Sequence, residues 1–125
     1  MINPKELRIG NLVQYKSQLR GWIVDVVHKE YFKSDSLDNV KGIPISEQWL
    51  NNFSFKEEEN LDQEKFKKIF LNDLGYRVSI NIDNRFTFWI DLYGFGIDFN
   101  YVHEFQNIYF ALTKHELETK SQENS

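Results

Sequence analysis

A chain of 125 residues suits one domain with a sizeable core, and an aromatic content of 16%, with 11 Phe, excludes a disordered chain despite 27% charged residues. The net charge is −4, with 7 basic and 5 acidic residues in positions 1–45, then 4 and 7 in 46–75 and again 4 and 7 in 76–125. That balance excludes a non-specific grip on nucleic acid through many phosphate contacts, leaving only a local basic cluster at Lys5, Arg8, Lys16 and Arg20.

The chain opens with MINPKELRIGN, which lacks the basic and apolar regions of a signal peptide. No apolar run is long enough to cross a bilayer. With no cysteine there is no disulfide framework and no thiolate metal site. A cytoplasmic protein that does not bind membranes is the expectation.

A short helical turn is predicted at the start, with Asn3 as cap and Pro4 in the first position. LRIGNLVQYK and GWIVDVVHK then read as a hairpin. Its strands are Leu12 to Lys16 and Trp22 to His28, joined by a loop from Ser17 to Gly21, and the opening has the look of an SH3-like small barrel. KEYFKSDSLDNVKG is a polar loop or a third short strand on a long connection. In IPISEQWLNNF, Ser46 caps a short helix that turns Trp49, Leu50 and Phe53 inward. A second helix is predicted from about Asp62 to Leu74 with Gly75 as its C-cap, because Phe66, Ile69, Phe70 and Leu74 recur at spacings of three and four. An antiparallel meander follows. Val78, Ile80 and Ile82, then Phe86, Phe88, Ile90 and Leu92, then Phe95, Ile97 and Phe99 form one apolar face, with DNR as the first turn.

The segment YVHEFQNIYFALT favours strand by composition but helix by period. As a strand both of its faces are mixed. As a helix it gathers Tyr101, Val102, Phe105, Ile108, Tyr109 and Leu112 into one stripe, predicted to cover the meander. Thr113 and Glu116 read as a capping box for a further helical turn. The far side of the helix carries His103, Gln106, Asn107 and Phe110. That face has three readings: solvated, buried against the N-terminal hairpin, or a surface for a protein partner or a second copy.

LRIGN, IPISEQWL and YVHEFQNIYFALT resemble the corresponding segments of a family of small uncharacterised bacterial and prophage proteins. The resemblance covers both ends and the middle of the chain. It implies a mobile-element setting and supplies no activity and no catalytic residue. Where such proteins often have Gly after the ALT, this chain has Lys114.

Chemistry-bearing residues are sparse. His28, His103 and His115 do not form the H-x-x-x-H spacing of a two-ligand helix face. Asp25, inside WIVDVV, reads as an acid–base candidate if buried and as an ordinary solvent-facing strand residue otherwise; the second reading is preferred. Trp89 and Tyr93 lie beside Asp91 and Asp98 on the less apolar sheet face and are candidate binding residues. The GFG at positions 94–96 is too short for a phosphate loop and reads as a turn.

The expected fold is α+β: an antiparallel sheet, partly curled, packed against helices, as a single domain over residues 1–118 with a frayed polar tail at 119–125. The expected function is a non-enzymatic protein-interaction module, such as a phage- or mobile-element-encoded modulator of a host protein, without metal or cofactor. The alternative is a small-ligand binder, such as a sponge for a nucleotide-derived signal. Aromatic rings would then stack on the base, and Arg20, Arg77 and Arg85 would have to converge on the phosphate.

Overall fold

The computed structural model describes residues 4–32, 37–58, 67–73, 77–83, 85–92 and 95–119. The fold is α+β, with a three-stranded and a five-stranded antiparallel sheet and two α-helices. The chain divides into two compact units. One comprises Met1–Pro44 with Tyr101–His115, and the other Ile45–Asn100 with Glu116–Ser125. The chain therefore leaves the first unit at Pro44 and re-enters it at Tyr101, where an isolated bridge pairs those two residues. No described helix is long and apolar enough to cross a membrane.

The first unit begins with a 3-10 turn at Pro4–Glu6, where proline suits the start because its missing N–H has no helical partner. Strands β1 (Leu12–Ser17) and β2 (Gly21–Val26) form the expected hairpin. The Ser17 hydroxyl accepts from the Leu19 and Arg20 amides, and Gly21 closes the loop at φ +69°, a conformation that glycine adopts without penalty. A short β3 (Val40–Lys41) joins the other side of β1, so the sheet order is β2-β1-β3. Leu7, Val13, Val27, Tyr31, Leu37 and Val40 form the core of this sheet. The barrel character expected here is limited to an open sheet of three strands.

In the second unit, α1 (Glu47–Asn52) is capped as predicted. The Ser46 hydroxyl accepts from the Trp49 amide, and Leu50 and Phe53 are fully buried. Strands β4 (Lys56–Glu58), β5 (Lys67–Asp73), β6 (Arg77–Asp83), β7 (Phe88–Leu92) and β8 (Phe95–Phe99) pair in sequence order as a meander. Phe70, Ile80 and Ile90 are register partners across three strands and are all buried, as are Ile82, Phe88 and Phe99 beside them.

Two expectations in this unit are overturned. Lys67–Asp73 is strand, where a helix was predicted. KKIFLND fits both periods, and pairing on both flanks, with β4 and with all seven residues of β6, gives it a full ladder that a short helix could not match. Phe66, Leu74 and Gly75, which argued for the helix, lie outside the described residues, as does the first part of the GFG turn. Phe86 is 74% exposed at φ +59°, not on the apolar face. The Asp83 carboxylate accepts from the Arg85 and Thr87 amides, and this extends the turn past Phe86. Those amide bonds, the Thr87 one foremost, hold the Asp83 carboxyl below the usual carboxylate range.

The helix reading of YVHEFQNIYFALT holds: α2 spans Val102–Thr113. Glu104 reaches back to accept from the Tyr101 amide at 3.0 Å. The buried stripe is Val102, His103, Phe105, Gln106, Tyr109 and Thr113, while Tyr101 and Leu112 are exposed. At about 100° per residue, the core-facing direction is rotated by roughly a fifth of a turn from the predicted one, toward the polar side. The helix belongs to the unit of the N-terminal hairpin, against whose β1 it packs.

The predicted further helical turn after Thr113 is absent. The Thr113 hydroxyl donates back to the Tyr109 carbonyl at 2.9 Å and is the last helical residue, not a new cap. Lys114 then takes the left-handed conformation at φ +63°, and its amide closes on the Phe110 carbonyl at 2.7 Å. A side chain there costs about 1–2 kcal/mol, partly offset by the greater chain entropy that glycine loses on folding. Lys114→Gly is therefore expected to raise stability by about 0.5–1 kcal/mol in urea unfolding; a loss of stability would show that the lysine side chain makes a compensating contact.

Candidate functional site

The four polar-face residues of α2 are turned toward the N-terminal segment. Gln106 is 2% exposed, and its Oε1 accepts from the Leu12 amide at 2.7 Å, at the first residue of β1. Asn107 Oδ1 accepts from Arg8 Nε at 2.7 Å and from Asn11 Nδ2 at 2.9 Å, while its own amide donates to the Glu6 carbonyl at 2.8 Å. Arg8 lies over the Phe110 ring, 4.4 Å from the centroid. Of the three readings of this face, burial against the N-terminal segment is the one the structure displays. Gln106 and Asn107 are satisfied internally there, and Phe110 is half-buried beneath Arg8. Arg8 is correspondingly part of this network.

His103 is the exception. It is 1% exposed, yet neither ring nitrogen has a hydrogen-bond partner. The nearest charge is the Glu6 carboxylate, 3.7 Å from Nε2, too long for a hydrogen bond. The ring lies parallel to that of Tyr101, with centroids 5.7 Å apart. With Glu6, Gln14, Lys41, Gly42 and Tyr101 it lines a cavity of about 370 Å³. Gly42 is required there, since a Cβ would come within 2.6 Å of the Tyr101 ring.

Trp89 belongs to the second unit and lies against Gly96, where an added Cβ would approach it to 3.2 Å; Tyr93 lies outside the described residues. The three arginines named for a nucleotide sponge are distributed as follows. Arg20 is in the first unit and Arg85 in the second, and the Arg77 side chain is outside the described set. Asp25 follows neither reading made for it. It is half-buried and accepts a hydrogen bond from the Tyr31 hydroxyl, beside a cavity of about 520 Å³ that also includes Tyr15, His28, Glu30 and Asp38. Burial, followed by that bond and the Asp25 charge, pushes the Tyr31 hydroxyl above the usual phenol range.

A second feature escaped the sequence reading. β2 is a terminal strand of its sheet, and Trp22, Val24 and Val26 are 40%, 54% and 46% exposed along one of its faces. Val27 exchanges its backbone bonds with the β1 side, so by alternation the N–H and C=O groups of Trp22, Val24 and Val26 point to the open edge. The signal was present in GWIVDV, whose Trp22, Val24 and Val26 make one face wholly apolar although an exposed edge strand usually carries charge. Compared with known proteins, the chain matches no family model, no curated protein and no solved structure.

Burial lowers the proton affinity of His103 below that of an ordinary imidazole, against the opposing pull of Glu104 and Glu6. Because the folded state binds this proton less well than the unfolded chain does, the stability is complete above about pH 6.5 and is lost as pH falls toward the lowered value. Urea melts between pH 7.5 and 5 are expected to show wild-type stability declining with acid and a shallower decline in His103→Gln. Parallel slopes would place the titration elsewhere.

Proposed function

We propose that this chain is a non-enzymatic interaction module that works by strand addition at the open edge of β2, and that it pairs there with a second copy of itself. The observation that carries this reading is the uninterrupted apolar row Trp22, Val24 and Val26 on a terminal strand whose free backbone groups belong to the same three residues. An unpaired edge with an apolar face is a template for another strand.

The sequence of β2 suits self-pairing. In an antiparallel arrangement centred on Val24, that residue faces Val24 of the second copy and Trp22 faces Val26. On the other face, Ile23 meets Asp25, so the two carboxylates are not opposed. The arrangement is two-fold and self-complementary, the commonest form of association. Lys41, whose ammonium sits 4.1 Å from the Trp22 ring centroid, flanks the apolar row with charge. In a cell, an extended host segment with the same alternation would compete for the edge, and the resemblance to bacterial and prophage proteins supplies the setting in which a modulator of a host protein would act this way.

The test is sedimentation equilibrium with amide exchange. Wild type is expected to dimerise, with concentration-dependent protection of the Trp22, Val24 and Val26 amides. Val24→Lys is expected to weaken association tenfold or more while changing stability by no more than about 0.5 kcal/mol, since the site is exposed. A monomeric wild type, or association unaffected by the lysine, would end the proposal.

A further inference from the structure

We propose that the cavity beside Asp25 binds an aliphatic polyamine, a methylene chain carrying two or more ammonium groups. This goes beyond strand pairing and uses the other face of the same sheet, since Asp25 alternates with Trp22, Val24 and Val26 along β2. The cavity, at about 520 Å³, lies within the size range of small-molecule sites. Its walls are aromatic first. Tyr15 and His28 both meet the Tyr31 ring edge to face, with centroids 6.3 Å and 4.9 Å from it, so three rings are held at fixed angles around the space. Tyr15 is 39% exposed, so its ring is open to contact, and the buried Leu37 and Val40 add apolar lining.

The charged groups set among these rings are all acceptors. The Tyr31 hydroxyl donates to the half-buried Asp25 carboxylate, and burial holds the phenol in its protonated form, so that bond is fixed in direction. A carboxylate has about four acceptor positions, so Asp25 keeps others for a second donor. Glu30 and Asp38 line the same cavity, both are exposed, and each can take an ammonium in addition to the bonds it already makes. No Lys or Arg occurs in the described lining. An anion is therefore repelled, and a cation is drawn both by the carboxylates and by the negative faces of the rings. A single metal ion is a poorer match. No group of three or more His, Asp or Glu side chains able to hold one occurs among the described residues, so these carboxylates do not converge on a point. A chain whose ammonium groups are set several methylenes apart meets separated carboxylates one by one, while its methylenes lie against Tyr15, Leu37 and Val40.

The experiment is calorimetric titration of the full chain with spermidine and with putrescine at physiological salt, beside NMR of the same complexes. Both are expected to bind saturably, with nuclear Overhauser contacts from the ligand methylenes to the Tyr15 ring. Butylamine, with one ammonium group, is expected to bind at least tenfold more weakly. Tyr15→Leu keeps an apolar side chain and removes the ring, while Asp25→Asn keeps an acceptor for the Tyr31 hydroxyl and removes the charge. Each is expected to weaken spermidine binding tenfold or more, with a urea melt of the same variant confirming its fold. The proposal is overturned if neither polyamine binds saturably, if butylamine binds as tightly as spermidine, if magnesium ion at equal concentration displaces spermidine, or if either variant that stays folded binds like wild type.

Discussion

The first unit depends on a set of hydrogen bonds between residues about a hundred positions apart. Arg8, Asn11 and Leu12 donate to Gln106 and Asn107, and Asn107 donates back to the Glu6 carbonyl. Closing a loop of that length costs on the order of 4 kcal/mol beyond a constant. Three neutral bonds at about 0.5–1.5 kcal/mol and one charged bond at about 1.5–3 kcal/mol bring a comparable return. The bonds therefore offset closure, and burial of Val102, Phe105 and Tyr109 supplies the surplus. The bonds also set the rotation of α2. Turning the helix to the purely apolar phase would strip Gln106 from the Leu12 amide and leave both without a partner.

That rotation explains why His103 is where it is. Once Gln106 and Asn107 are drawn toward the hairpin, the residue one turn earlier is carried into the interior beside Glu6 and Gly42, with no partner of its own. The polar side of the helix thus divides into two parts. Gln106 and Asn107 are satisfied and hold structure, while His103 is buried with only the Glu6 carboxylate near its Nε2. The exposed apolar row on β2 is a third element of the same unit, open to solvent along a terminal strand.

Much of this fold was legible in the sequence. The hairpin with its glycine-closed loop, the Ser46 cap, the alternation of the meander and the helical period of YVHEFQNIYFALT all follow from local chemistry. What failed was non-local. KKIFLND fits helix and strand equally well until β4 and β6 offer their edges. Apolar residues alone give the wrong phase for α2, because its bonds to the hairpin come from Gln106 and Asn107. LRIGN and the QN of the last segment bind each other through Arg8, Asn11 and Asn107, a contact between opposite ends of the chain that no local pattern signals. Exposure of Phe86 and burial of His103 had no sequence signal either. One depends on a turn extended by Asp83 and the other on the helix rotation.

The first unit rests on the coupling between the two ends of the chain, and a double-mutant cycle on Asn11 and Asn107 measures it directly. Urea unfolding of Asn11→Ala, Asn107→Ala and the double variant gives the interaction energy. Each single change is expected to cost about 1–3 kcal/mol, and the double variant about 1 kcal/mol less than their sum, because the second change removes a bond already lost. Additivity within about 0.3 kcal/mol would mean that the two amides do not interact in solution and that something other than this network holds α2 to the hairpin.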